Sequence, residues 1–204
     1  MPIFVLAGVN GAGKSSVGGA ALAAAGSPFF NPDVVAARLR QERPGLSTEQ
    51  VNGLAWAAGR RGLEKALADG LTYAFETTLG GTSIAKLLLE GARSGAEIHV
   101  WFAGLATPEL HLRRIAARVA AGGHNIPEAK VRERFDASRS NLVKLMPHLA
   151  SLRVYDNSFE ADPRAGKRPR PVLLLQMQAG RVVAHAALAV IPAWAKPLLA
   201  AALR

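Results

Sequence analysis

The sequence contains no cysteine among its 204 residues. Disulfide frameworks and thiolate metal sites are therefore excluded, and nothing favours an oxidising compartment. Aromatic residues make up only 6% of the chain, and they do not alternate with basic residues as base-stacking surfaces require. Acidic residues are outnumbered, with 15 Asp and Glu against 25 Lys and Arg and a formal net charge of +10. This excess favours a polyanionic partner, either nucleic acid or the phosphates of a nucleotide.

Long hydrophobic runs are missing as well. The apolar segment of residues 1–8 lacks the basic region and the cleavage site of a signal peptide. The alanine-rich stretch Val182–Leu203 is interrupted by a histidine, a lysine and two prolines. It predicts a strand and a short packed helix, because a membrane span needs an unbroken apolar segment. We therefore expect a cytoplasmic protein without a membrane anchor.

Strand-like and helix-like segments alternate along most of the chain. Short apolar runs predict strands at Ile3–Ala7, Pro28–Asn31, Leu71–Glu76, Glu97–Leu105 and Leu152–Asp156. Capping residues and apolar spacing predict helices at Ser15–Ala25, Pro32–Arg40, Thr48–Asp69, Ser83–Ser94, Pro108–Ala121 and Glu128–Leu145. A basic loop follows at Asp162–Pro171, and Val172–Gln178 with Arg181–His185 predicts a hairpin. The alternation predicts a mostly parallel sheet covered by helices on both faces.

The segment Gly8–Ser15 reads GVNGAGKS and matches the phosphate-loop pattern G-x-x-x-x-G-K-[S/T] at every position. It follows an apolar strand and precedes a helix, as this motif requires. Glycines let consecutive backbone N–H groups point at a phosphate, and the helix N-terminus adds its positive dipole end. We expect Lys14 to bridge the β- and γ-phosphates and the Ser15 hydroxyl to ligate Mg²⁺. The predicted ATP site comprises Gly8, Asn10, Gly11, Ala12, Gly13, Lys14, Ser15 and Ser16.

The motif and the alternation together predict the fold class. It is an α/β fold, the P-loop NTPase three-layer αβα sandwich, with a mostly parallel sheet of about five strands. A C-terminal β-hairpin and a short helix complete it. No repeat or linker divides the chain, so we expect a single kinase domain with a lid near residues 113–139.

Acidic residues follow the second and third predicted strands, at the sheet edge where ligands bind. Asp33 can accept the proton of an acceptor hydroxyl, or it can merely be a first-turn residue that the helix dipole favours. Glu76 can contact a sugar hydroxyl or hold Mg²⁺ through water, while Thr77 and Thr78 can touch substrate or cap a helix. A guanine-specific NKxD motif and an apolar strand ending in Asp-Glu are both absent. These absences favour a kinase over a GTPase or a motor ATPase.

Arginines bracket a glycine-rich connector at Gly122–Pro127. A hinged, arginine-bearing segment is what a kinase lid needs, because guanidinium groups stabilise the transferring phosphoryl. The alternative for some of them is a solvated basic helix face. His124, inside the connector, can contact phosphate or cap a turn. The arginines concerned are Arg113, Arg114, Arg118, Arg132, Arg134 and Arg139.

Taken together, these motifs resemble the zeta toxin family of P-loop kinases, in particular its short stand-alone bacterial members. The resemblance extends from Ile3 to Ser158. It is carried by Gly8–Ser16, Asn31–Asp33, Phe75–Thr78, Arg118–Pro127, Arg132–Asn141 and Tyr155–Ser158.

The resemblance implies a kinase that uses ATP and Mg²⁺ to phosphorylate a hydroxyl of UDP-N-acetylglucosamine or a related sugar nucleotide. It implies an antitoxin protein as a partner. Asp33 is implied as the base, and Lys14, Arg118 and Arg134 as the other catalytic residues, with Arg132 the alternative to Arg134. The implied substrate-binding residues are Asp33, Glu76, Thr77, Thr78, His124 and Arg132, and Asp156 and Asn157 are implied near the nucleotide base.

Two other functions are consistent with the sequence. One is a nucleic-acid-associated NTPase or polynucleotide kinase, which the net charge and the basic segment Arg164–Arg170 favour. The other is a nucleotide-binding module without catalysis. The pair Asp33 and Glu76 beside the phosphate loop, together with the lid arginines, favours the small-molecule kinase over both.

Overall fold

The computed structural model of the chain describes residues 1–18, 29–159 and 170–204. Its strands are β1 (Pro2–Ala7), β2 (Phe29–Phe30), β3 (Tyr73–Thr77), β4 (Glu97–Gly104), β5 (Ser151–Asp156), β6 (Val172–Gln178) and β7 (Arg181–His185). They form one sheet in the order β2-β3-β1-β4-β5-β6-β7. The first five strands are parallel, whereas β6 and β7 pair antiparallel at one edge. The predicted parallel sheet is confirmed, and the C-terminal hairpin extends that same sheet.

Helices lie on both faces of this sheet. The first, α1, begins at residue 15, and its described part ends at residue 18. The others are α2 (Pro32–Glu42), α3 (Thr48–Asp69), α4 (Thr82–Arg93), α5 (Pro108–Ala120), α6 (Glu128–Leu145) and α7 (Lys196–Ala202). Ile3 and Val5 belong to the large core that α3, α4, α6 and α7 share. Leu6 points to the opposite face and packs with Val17 of α1, so the predicted α/β sandwich is confirmed.

Capping chemistry sets the ends of the helices that position the site. Helix α2 begins after Asn31, whose Oδ1 accepts a hydrogen bond from the backbone N–H of Asp33 at 2.8 Å. Ser47 and Gln50 form a capping box at the start of α3, and Gly70 ends that helix in a left-handed conformation. The observed bounds of α3 and α6 are those predicted from the sequence.

Smaller differences concern segment ends. The described part of strand β2 ends at Phe30, one residue before its predicted end, because Asn31 turns away from the sheet to cap α2. Pro28, where that strand was predicted to begin, lies outside the described residues. The predicted helix Ser15–Ala25 lies outside the described residues beyond residue 18, and the predicted basic loop Asp162–Pro171 does so up to residue 169. Within the described ranges, no helix combines the length and the apolar character that crossing a bilayer requires.

Candidate functional site

The phosphate loop leaves the carboxyl end of β1 in the centre of the sheet. Its first residue is tied to the neighbouring strand, since the Gly8 N–H donates to the Thr77 carbonyl at 3.2 Å. A Cβ at Gly8 would lie 2.2 Å from the Ala103 carbonyl oxygen, and one at Gly13 would lie 2.4 Å from Asn157 Nδ2. Both glycines also have positive φ angles, 140° and 71°. The backbone therefore passes where a side chain has no room, as a phosphate cradle requires.

The free N–H groups of the loop point to an anion site. No backbone carbonyl of the described residues accepts from the N–H groups of Gly13, Lys14 or Ser15. These three groups lead directly into the N-terminus of α1, where unpaired donors and the helix dipole favour negative charge. The loop therefore fits the phosphates of a nucleotide.

Lys14 is buried and held by both the loop and the neighbouring strand. Its side chain amine donates to the Gly8 carbonyl at 2.9 Å and lies 3.2 Å from Glu76 Oε1. The second oxygen of Glu76 accepts from Asn31 Nδ2 at 3.3 Å. Glu76 therefore connects the lysine of the phosphate loop to the residue that caps α2.

Asp33 lies beside the connector Gly122–Pro127. Its Oδ2 is 3.3 Å from Arg118 Nη1, and its Oδ1 is 3.8 Å from His124 Nε2. Arg118 also donates to the His124 carbonyl at 3.4 Å. Burial lowers the pKa of His124, Asp33 opposes this effect, and Arg118 and Arg40 add to it. The carboxylate is thus close to Arg118 and His124, while 43% of its side chain stays exposed.

Arg134 reaches the phosphate loop from α6. Its Nη1 donates to Asn10 Oδ1 at 2.8 Å, and the close passage of its stem leaves no room for a Cβ at Gly80. Burial lowers the pKa of the Arg134 guanidinium, against the opposing effect of Glu133. This arginine therefore lies at the rim of the phosphate cradle.

A cavity of about 340 Å³ opens between these groups. It extends from the carboxyl ends of β2 and β3 towards α3 on one side and the start of α6 on the other. Of the residues predicted from the sequence, it is lined by Asn10, Asp33, Glu76, Thr77, Thr78, His124 and Arg134. A hydroxyl inside this cavity can approach both Asp33 and the rim of the phosphate loop.

Other predicted residues lie elsewhere. Arg132 is on the outer surface, where it pairs with Glu109 at 2.7 Å and with Glu128 at 2.8 Å, and it does not line the cavity. The Asp156 carboxylate accepts from Trp194 Nε1 at 3.2 Å. Asn157 is buried behind the phosphate loop and donates to the Ala12 carbonyl at 2.8 Å. Of the two, Asn157 is therefore the one in direct contact with the loop.

Thr77, the last residue of β3, and Thr78, which follows it, shape a loop and do not cap α4. The Thr77 hydroxyl accepts from the Leu79 N–H at 3.0 Å, and the Thr78 hydroxyl accepts from the Gly80 N–H at 3.3 Å. Helix α4 instead begins after Gly81, which provides no side-chain cap. Both threonines therefore face the cavity within a tight, locally bonded turn.

Sequence reasoning missed His111, whose ring hydrogen-bonds to the backbone of the phosphate loop. Its Nδ1 lies 2.8 Å from the Asn10 carbonyl oxygen, and since a carbonyl only accepts, this nitrogen carries the proton. Burial lowers the pKa of His111 to about 4, so the ring is neutral near pH 7. A lone histidine on a helix gives no signal in the sequence, because only the fold brings it under the loop.

Comparisons with known proteins agree with this architecture. A stretch of 131 residues is 29% identical to an uncharacterized protein of Haemophilus influenzae, and it covers 63% of this chain and 88% of that protein. A chain in the solved AvrRxo1-ORF1:AvrRxo1-ORF2 complex superimposes with a TM-score of 0.64 at 20% identity, over 89% of this chain. The present chain spans 60% of the length of that larger chain. Another structure of the same complex contains ATP.

A second fold relative comes from a toxin–antitoxin system. A chain of the PezAT system of Streptococcus pneumoniae matches with a TM-score of 0.52 at 16% identity, over 83% of this chain and 70% of that one. At such identities these likenesses show a shared fold alone. The model of the AAA domain family matches residues 3–145, more than half of the sequence, and the chain therefore belongs to the AAA domain family.

Proposed function

We propose that this chain is an ATP-dependent kinase of the zeta toxin type, which transfers the γ-phosphoryl of ATP to a hydroxyl of a small molecule in the cytoplasm. The observation that carries the proposal is the shared cavity. Asp33 from α2, Arg134 from α6 and Asn10 of the phosphate loop all line it. A base, a cation and the phosphate cradle are thus brought together from three separate parts of the fold.

Nucleotide binding rests on the phosphate loop. Gly8 and Gly13 lie where a Cβ has no room, and Lys14 is anchored to the Gly8 carbonyl. The N–H groups of Gly13, Lys14 and Ser15 donate to no backbone carbonyl of the described residues. The neighbouring AvrRxo1-ORF1:-ORF2 fold was solved with ATP, which supports the same ligand here. The Ser15 hydroxyl would hold Mg²⁺, which supplies neutralising charge on the phosphates when bound.

Asp33 is the proposed base. As the acceptor oxygen forms its bond to the γ-phosphorus, the hydroxyl proton passes to the Asp33 carboxylate. The bond between the γ-phosphorus and the β–γ bridging oxygen breaks, and ADP leaves. Arg118, 3.3 Å from Asp33, and Arg134 at the cradle rim are positioned to stabilise the charge on the transferring group.

The proposed acceptor comes from the resemblance to the zeta toxin family, and the proposed partner is supported by the fold relatives as well. A sugar nucleotide is the proposed acceptor, and Glu76, Thr77, Thr78 and His124 are its proposed contacts because they line the same cavity. A protein partner of the antitoxin kind is supported by the complexes in which the two fold relatives were solved.

The test is a phosphotransfer assay with Asp33→Asn. We expect this variant to bind ATP like the wild type but to lose roughly 100- to 10,000-fold in turnover, which is the usual contribution of a general base. Candidate acceptors, UDP-N-acetylglucosamine first, are incubated with ATP and Mg²⁺, and mass spectrometry detects the gain of one phosphate. Lys14→Ala should impair both ATP binding and transfer.

Glu133→Gln provides the matched control. Glu133 lines the same cavity, but it is exposed and pairs with Lys130 at 3.4 Å, so its turnover should stay near that of the wild type. Unchanged turnover in Asp33→Asn would remove Asp33 as the base. A wild-type protein that binds ATP and phosphorylates no acceptor would leave only a nucleotide-binding module.

The alternative of a nucleic-acid-associated enzyme rests on the net charge of +10 and on the basic segment Arg164–Arg170, of which residues 164–169 lie outside the described part of the chain. Among the arginines of the described residues, Arg132 pairs with Glu109 and Glu128, and Arg139 pairs with Asp136. These pairs leave the net charge unchanged, so the alternative is decided by experiment. Retention on a DNA column that weakens steeply with salt would favour the alternative.

A further inference from the structure

One row of side chains on α3 faces the cavity without any assigned role. Asn52, Trp56 and Arg60 are spaced four residues apart, so they lie above one another on one face of the helix. All three line the cavity. At 1.5 Å of rise per residue, the row covers about 12 Å, which is longer than a single sugar ring.

Trp56 is the exceptional member of this row. Its relative exposure is 48%, whereas Trp101 and Trp194 are exposed by only 8% and 3%. Indole is a large apolar ring that folding normally buries. A half-exposed tryptophan in the wall of a cavity that also holds the proposed base indicates a surface for a ligand.

Polar groups flank the Trp56 ring on the same helix. The guanidinium carbon of Arg60 lies over one face of the ring, 5.8 Å from its centroid, which places a positive charge on that face. The Arg60 Nε donates to Glu64 at 2.8 Å, and this bond fixes the arginine on the helix. Asn52, one turn earlier, carries an amide that can both donate and accept hydrogen bonds.

The opposite end of the cavity has a different character. Asp33, Glu76 and Arg134 lie there, at the ends of the strands and at the phosphate loop. The cavity therefore has charged side chains at the strand ends and the phosphate loop, and an aromatic side chain on α3. A ligand that fills both ends has a hydroxyl-bearing part and a planar part.

We propose that Trp56 is the platform on which a planar heteroaromatic ring of the acceptor stacks, with Asn52 contacting the edge of the ring and Arg60 a neighbouring negative charge. This inference rests on the proposed kinase function, since it concerns the acceptor of that reaction. It adds the residues that recognise the part of the acceptor distant from the hydroxyl.

Fluorescence of Trp56 tests the proposal directly. Because the other two tryptophans are buried, a ring stacking on Trp56 should quench the exposed part of the wild-type emission. The probes are the four ribonucleoside monophosphates, added after a non-hydrolysable ATP analogue with Mg²⁺ has filled the phosphate loop. Glucose 1-phosphate, which has phosphate but no planar ring, should leave the emission unchanged.

Variants give the size of the effect by calorimetry. Trp56→Ala should weaken binding of the best monophosphate by roughly 10- to 100-fold, as expected for the loss of one stacking side chain. Trp56→Phe keeps a ring and should retain most of the affinity. Leu54→Ala is the matched control, because Leu54 is exposed on the same helix but does not line the cavity, and it should bind like the wild type.

The outcomes separate this inference from the kinase proposal. Absence of quenching by all four monophosphates, or unchanged affinity in Trp56→Ala, overturns the stacking platform, and the wild-type measurement stands even where a variant fails to fold. Stacking in a protein that transfers no phosphate contradicts the kinase function alone. Transfer to a nucleotide acceptor with the same KM in Trp56→Ala contradicts the platform alone.

Discussion

Replacing Gly13 by alanine tests whether the phosphate loop is built as the structure shows. The new Cβ would lie 2.4 Å from Asn157 Nδ2, so the amide must move and give up its hydrogen bond to the Ala12 carbonyl. Loss of a buried hydrogen bond costs about 1–3 kcal/mol. The φ angle of 71° at this position adds about 1–2 kcal/mol for any residue with a Cβ.

We therefore expect Gly13→Ala to lower the free energy of unfolding by roughly 2–5 kcal/mol. This is a large share of the 5–15 kcal/mol that typically stabilises a protein, and it corresponds to a loss of roughly 4–20 °C in Tm. The assay is urea unfolding followed by circular dichroism. ATP affinity should fall in parallel, because the cradle itself is displaced.

Gly53→Ala is the matched control for this experiment. Gly53 lies in α3, and a Cβ there would meet no atom within 4 Å, so alanine should stabilise the helix by about 0.5–1 kcal/mol. In an Asn157→Ala background, the cost of Gly13→Ala should fall to its backbone part, about 1–2 kcal/mol. A Gly13→Ala protein with the wild-type urea midpoint, or one whose cost is the same in both backgrounds, would refute the reasoning.

Two further substitutions test the support of the loop. The unfolded chain protonates its histidines near pH 6.5, whereas folded His111 does so only near pH 4, so the wild type should lose about 3 kcal/mol of stability from this residue as the pH falls between those values. His111→Asn keeps a donor for the Asn10 carbonyl but does not titrate. Urea unfolding at pH 7.5 and 4.5 should therefore show a smaller loss of stability in the variant than in the wild type. An equal loss in both proteins would contradict a lowered pKa of His111. Glu76→Gln removes the carboxylate 3.2 Å from Lys14 and should raise ATP affinity by up to about tenfold, or 1.4 kcal/mol, while transfer to the acceptor falls. Weaker ATP binding in calorimetry would show that Glu76 positions the lysine and does not compete for it.

Local chemistry explains which parts of the fold the sequence could predict. The Ser47–Gln50 capping box and Gly70 specify both ends of α3 through contacts within a few residues, so these bounds were predictable. The end of strand β2 was predicted one residue late because Asn31 can be a strand end or a helix cap. In the structure its Oδ1 caps α2 locally, and its Nδ2 donates to Glu76. That contact joins residues far apart in the sequence.

In the candidate site, too, only the features that depend on neighbouring residues could be predicted. The phosphate loop is a continuous motif, and its spacing alone identified it. The choice between Arg132 and Arg134 could not be made from sequence, because both lie on α6 and only the packing of that helix decides which one faces the loop. Trp56 and His111 carried no local signal, since each gains its place through elements brought together by the sheet.

The C-terminal segment with Trp194 and α7 packs into the same core as the strands that hold the phosphate loop. Trp194 packs against Gly104 at the end of β4 and bonds to Asp156 at the end of β5, and its carbonyl accepts from Arg139 of α6. Leu198 and Leu199 of α7 complete the main core. The family match ends at residue 145, so its boundary is shorter than the cooperative unit. A protein that ended at residue 145 would lack Trp194, Leu198 and Leu199, and the main core beside the strands that hold the phosphate loop would be exposed.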